Sequence, residues 1–141
     1  MVAFNKVDAL TLELGTEGHK LDTDVLNIAL TNTAPTAAST VWSLGSFPAP
    51  TTNTGGYAPA AVTTTSFTQT SGVAKLVLAD VVFTSTGGSI GPFQYAILYN
   101  TSSSAANKII GWYNYGSSIT LATTETFTVD FDPTTGALTI T

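Results

Sequence analysis

Phe93-Gln94-Tyr95-Ala96-Ile97-Leu98-Tyr99 decides the fold class. Phe93, Tyr95, Ile97 and Tyr99 fall on one side of an extended chain. Gln94, Ala96 and Leu98 fall on the other. This period of two is the pattern of a strand. The residue types agree, because aromatic and β-branched side chains suit a pleated, half-buried surface.

The same pattern recurs on either side. Thr126–Phe131 alternates Phe127, Val129 and Phe131 inward with Thr126, Thr128 and Asp130 outward. Asp24–Thr31 carries Leu26, Ile28 and Leu30 on its apolar face. Lys108–Asn114 sets Ile110 and Trp112 opposite Ile109, Gly111 and Tyr113, and Ile119–Leu121 follows as a short strand. Val62–Thr70 is a Thr-rich strand. Lys75–Ala79 and Val81–Ser85 read as one strand bent at Asp80, and Leu138 and Ile140 close the chain. Gly87-Gly88-Ser89-Ile90-Gly91-Pro92 is a turn cluster, Asn100–Asn107 a polar loop, and Asp132–Gly136 a turn.

Short strands at close spacing with little helix predict an all-β domain spanning 1–141. A single jelly-roll-like β-sandwich of about eight antiparallel strands fits the count best. Residues 1–23 are expected to form a short N-terminal arm or helix, and 32–61 a long uncharged loop broken by prolines. Within the arm, Phe4, Val7, Leu10 and Leu14 recur at helical spacing, while Leu10, Leu12 and Leu14 alternate as in a strand. The spacing leaves helix and strand both open.

Composition narrows the function. The 141 residues include no Arg, no Cys and one His, with 9% charged residues, and no charge falls between Val25 and Ala74. Thr (27) and Ser (12) fill the vacancy. A net charge of −5 and four Lys isolated along the chain argue against nucleic acid, whose binding rests on clustered Lys and Arg, and against anionic membranes. Without Cys there are no disulfides or thiolate metal sites. No apolar run is long enough to span a bilayer. Met1–Leu14 has no basic run followed by an apolar one, so no secretory signal is expected.

Candidate chemistry is thin. Asp130 and Asp132 share a strand face and could hold Ca²⁺ through oxygen, but Asp132 opens a Pro-Gly turn, where Asp is common. Asp22 and Asp24 flank Thr23 and read as a solvated loop. Gly87-Gly88-Ser89-Ile90-Gly91 matches the string of a nucleophile elbow, which needs a helix after it and a His later in the chain. Here Pro92 and a strand follow, and His19 comes earlier, so both read as structural. Trp42, Tyr57, Trp112 and Tyr115 are the rings that could stack on sugars. No catalytic residue, cofactor or metal is expected, and the chain is not expected to be an enzyme. Candidate contact residues for other proteins are Phe4, Val7 and Leu10 in the arm and Trp42, Phe47 and Tyr57 in the loop, because they are apolar and lie outside clear strands.

Several strings carry a resemblance. Gly87–Asn100, Ile110–Ser118, Glu125–Phe131 and Asp24–Pro35 resemble segments of small virion proteins encoded by tailed bacteriophages. Some of these look like capsid decoration, or cement, proteins with a jelly-roll fold. The resemblance stops within Thr36–Ala61. It implies a structural virion protein, assembled in the bacterial host cytoplasm, that binds the outside of the capsid and bridges major capsid subunits. It also implies a homo-oligomer, dimer or trimer, and no catalytic residues. The alternatives are a carbohydrate-binding tail or spike module and a structural protein of the tail or neck.

Overall fold

The structure is a computed structural model that describes residues 2–102 and 107–141. The long hairpin of β8 (Ile90–Asn100) and β9 (Lys108–Leu121) is its backbone. On one side of β8 lies β2 (Leu26–Thr31), followed by β4 (Ala60–Val62). On the far side of β9 lies β1 (Phe4–Lys6), and β3 (Thr52–Asn53) pairs with the start of β8. These six strands form one antiparallel sheet in the order β1-β9-β8-β2-β4, with β3 beside it. A second sheet runs β11 (Leu138–Ile140), β6 (Val73–Leu78), β5 (Thr64–Thr70), and a third pairs β10 (Thr126–Val129) with β7 (Val81–Thr84). One helix, α1 (Ala9–Gly15), completes the set among the described residues.

The chain is therefore all-β and antiparallel. Its strand count exceeds the expected eight or so of a two-sheet jelly roll. Eleven strands are described, in sheets of six, three and two. The excess comes from the two- and three-residue strands β1, β3 and β4, too short to show a period. Two other boundaries shift. Lys108–Asn114 and Ile119–Leu121 are one strand, in which the register against β8 jumps from Tyr95↔Asn114 to Phe93↔Ile119, so residues 115–118 bulge out. The bent strand expected at Asp80 is two strands in different sheets, β6 and β7. The Asp80 carboxylate holds this corner by accepting the Phe131 N–H at 2.8 Å.

Burial follows position in the sheet. β8 lies between β2 and β9, and Ala96 and Leu98 are as buried as Phe93 and Ile97. Its two faces alternate in residue type but not in exposure. Removing a side chain such as Phe93 from water contributes about 2–3 kcal/mol. The small sheet joins the large one through aromatic contacts. Phe127 of β10 meets Phe93 edge-on at 4.9 Å, and Phe131 meets Tyr113 at 5.9 Å. Gly111 is required where β1 pairs with β9, because a Cβ there would run into the Phe4 ring and the Asn5 carbonyl. The core is one contiguous cluster that includes Leu76, Leu78 and Leu138 of the three-stranded sheet.

Of the expected arm or helix, the helix forms, as α1, and the segment is not a free arm. β1 pairs with β9, and Val7, Leu10 and Leu21 are buried in the core. Helical spacing prevails over alternation in Ala9–Gly15. Leu10 faces in, Leu14 is half-buried one turn later, and Leu12 is exposed. The span 32–61 is mostly loop, as expected, but it is pinned. Thr31 Oγ1 donates to the Pro48 carbonyl at 2.8 Å, and the Asn53 side chain brackets the Tyr57 backbone, accepting from its N–H at 2.6 Å and donating to its C=O at 3.0 Å. The expected polar loop Asn100–Asn107 lies partly outside the described residues.

Candidate functional site

The six apolar residues expected to contact partners do not form one surface. Val7 and Leu10 are 0% and 1% exposed, and Phe47 and Tyr57 are 7% and 8%. This corrects the expectation for these four, which belong to the core. Val7 and Leu10 enter it from the junction of β1 and α1, and Phe47 and Tyr57 from the long loop that runs over it. Phe4 is half-buried against Tyr113, with ring centroids 5.2 Å apart. Trp42 is half-buried and stacked on Tyr99 at 4.5 Å and 18°. The exposed apolar side chains beside Trp42 are Val41 and Leu44, in the charge-free loop.

The remaining rings are also engaged. The Tyr57 ring lies 5.8 Å from Phe83, and Tyr115 packs edge-on against Phe127 at 4.8 Å. Of the neighbouring pair Trp112 and Tyr113, the alternation puts Tyr113 in the core and leaves Trp112 half-buried.

The structure separates the residues of the elbow string. Ser89 stands just before β8, and its N–H donates to Thr54 Oγ1 at 3.0 Å. His19 is bound to Asn100 at the other end of β8, and a strand of that length spans about 30 Å. Asp132 does turn work: its carboxylate accepts from the Thr134 N–H, the Thr135 N–H and Thr135 Oγ1 at 2.7, 3.1 and 2.6 Å. These bonds hold its pKa below the usual carboxylate value. Asp24 accepts from the Lys20 N–H at 2.7 Å and from the Asn100 amide, while Asp22 is exposed. Among the described residues no group of three or more acids and histidines gathers as a metal site would.

A buried polar network escaped the sequence reading. His19 Nε2 lies 2.9 Å from Glu13 Oε2, and Nδ1 lies 3.0 Å from Asn100 Nδ2. Lys108 Nζ reaches Glu13 Oε1 at 3.3 Å. Asn100 Oδ1 accepts the Ser102 N–H at 2.8 Å. The amide nitrogen of Asn100 can only donate, so Nδ1 is the acceptor and the ring is neutral with its proton on Nε2. Burial lowers the His19 pKa and outweighs the opposing pull of Glu13, with Lys108 adding to the lowering. The network ties α1 and the 16–25 turn to the ends of β8 and β9. Its members are up to 95 residues apart (Glu13 to Lys108), which is why spacing gave no sign of it.

Cavities open at the surface of the described residues, three of them of note. One of about 140 Å³ is lined by Val2, Tyr113, Tyr115, Thr128 and Asp130. It is smaller than the roughly 300 Å³ at which ligand pockets usually begin. Burial, then the nearby Asp130 carboxylate, pushes the Tyr115 phenol up to about 12, and burial raises Tyr113 further. Both are neutral at ordinary pH. The other two, about 240 and 230 Å³, adjoin where they share Lys6, Leu138 and Thr139 between β1 and β11. No helix among the described residues is long and apolar enough to cross a membrane. Comparison of the chain with protein-family models, with curated proteins and with solved structures gives no match.

Proposed function

We propose that this protein is a structural component of a tailed-phage particle that binds the outside of the capsid and stabilises it by bridging major capsid subunits. The observation that carries the reading is how the ionisable groups are used. His19, Glu13, Lys108, Asp24, Asp80 and Asp132 are held in contacts that fasten the chain to itself. Meanwhile the charge-free loop presents Val41 and Leu44 to solvent. A rigid β body with charge-poor, Thr-rich surfaces suits docking on folded subunits, because it limits the desolvation of charge. Repetition over a symmetric shell multiplies weak contacts through effective concentration. The likeness of Gly87–Asn100, Ile110–Ser118 and Glu125–Phe131 to virion proteins points the same way.

The test is reconstitution. Purified protein added to capsids that lack it should bind saturably and raise their resistance to heat. Failure of both would end this reading.

A further inference from the structure

We propose that the groove between β1 and β11 accepts an extended, acidic segment of a partner protein, which adds to β1 as a further strand. This rests on groove geometry and not on the virion reading. β1 is the last strand of the six-stranded sheet, and β11 the last of the three-stranded sheet. Between these two edges lie the adjoining cavities of about 240 and 230 Å³.

The backbone of β1 is set to receive a strand. The Val7 N–H donates to the Ile110 carbonyl at 3.2 Å. Pairs in an antiparallel ladder alternate between bonded and unbonded. Asn5, two residues back in the same register, therefore turns its N–H and C=O to β9. Phe4 and Lys6 turn theirs away, to the open edge. Such a row of unpaired groups is a template for an added strand.

The lining states what the added strand would carry. Leu10 and Leu14 of α1 and Leu138 and Ile140 of β11 offer an apolar wall to alternate side chains. Lys6 is the charged side chain of this lining. Lys20 lies 3.9 Å from Glu17, Lys108 lies 3.3 Å from Glu13, and Lys75 Nζ donates to the Thr134 carbonyl at 2.8 Å. Lys6 forms no ion pair among the described residues and lines both cavities. A carboxylate on the incoming strand would pair with it. This pairing acts at short range, inside the roughly 10 Å over which salt screens the chain's overall negative charge.

The experiment uses capped peptides of alternating Val and Thr with a central Glu, a central Lys or a central Pro, titrated into the isotope-labelled full chain and read by amide chemical shifts. The Glu peptide should shift residues 4–14 and 137–141 saturably, and the Pro peptide should not bind. Lys6→Glu should weaken the Glu peptide about fivefold and strengthen the Lys peptide by a similar factor, on the scale of an exposed ion pair. Lys6→Thr, which keeps the strand, should erase the preference between them. Equal binding of the Glu and Lys peptides to the unaltered chain, or shifts elsewhere or nowhere, would overturn the proposal. So would self-association through these amides without peptide, since the occupant would then be a second copy.

Discussion

The Tyr57 hydroxyl accepts the Leu30 N–H at 2.7 Å and donates to the Leu30 carbonyl at 3.3 Å. It stands in for a strand. β4 pairs with β2 from Leu26↔Val62 to Ile28↔Ala60 and then ends, and Leu30 is the next residue whose backbone faces that side. A buried N–H and C=O left open there would be unfavourable, and one side chain from the loop satisfies both. Burial pushes the phenol up to about 12, so it keeps the proton it donates.

Tyr57→Phe should therefore destabilise the fold by about 1–3 kcal/mol, the range for a buried polar group stripped of its partner. The ring still packs on Phe83, so the loss should appear in the urea midpoint while the near-ultraviolet spectrum of the native state persists.

His19 makes stability depend on pH. Its folded pKa lies below the ordinary histidine value of about 6.5 because burial disfavours the charged ring. Between the folded and unfolded values the unfolded chain binds more protons, so unfolding becomes easier as pH falls. The stabilisation is complete above about pH 6.5 and is lost as pH drops toward and through the lowered folded value. Protonation would also set an Nδ1–H against the Asn100 amide, two donors facing each other. Urea midpoints from pH 8 to 5 should fall for the unaltered chain, and His19→Gln should flatten that slope.

Gly111→Ala tests the close pairing of β1 with β9. The new methyl would meet the Phe4 ring and the Asn5 carbonyl. The ring can turn, but the backbone oxygen cannot without shifting β1. A loss of about 1–3 kcal/mol is expected, as for overpacked cores. Amide exchange should report it first in residues 4–7.

Leu44→Asp probes the proposed docking surface. Leu44 is 61% exposed, so stability should change by no more than about 0.5 kcal/mol. Attachment to capsids should weaken about tenfold, since a charge must then be desolvated at the contact. Unchanged attachment would remove this loop from the interface.

Much of the β body was legible in the sequence because a two-residue period is local. Thr126–Phe131 points Val129 and Phe131 inward as its alternation predicts, and Asp132 caps the turn that Asp132–Gly136 announces. The contact residues were misread for a physical reason. Val7, Leu10, Phe47 and Tyr57 lie outside any long strand, so their apolar character was taken as surface. An apolar side chain on a loop is equally able to plug the core beneath it.

By itself, then, the sequence determined the strand periods, the all-β class and the shortage of chemical groups, since each is written in neighbouring residues. The tertiary structure alone decided which strands share a sheet, that β6 and β7 part at Asp80, and that the N-terminal segment is built into the body. It also decided that Glu13, His19, Asn100 and Lys108 meet, and that two edges flank one groove. Those are relations between residues tens of positions apart. They depend on how the chain closes on its core, and no local pattern records that.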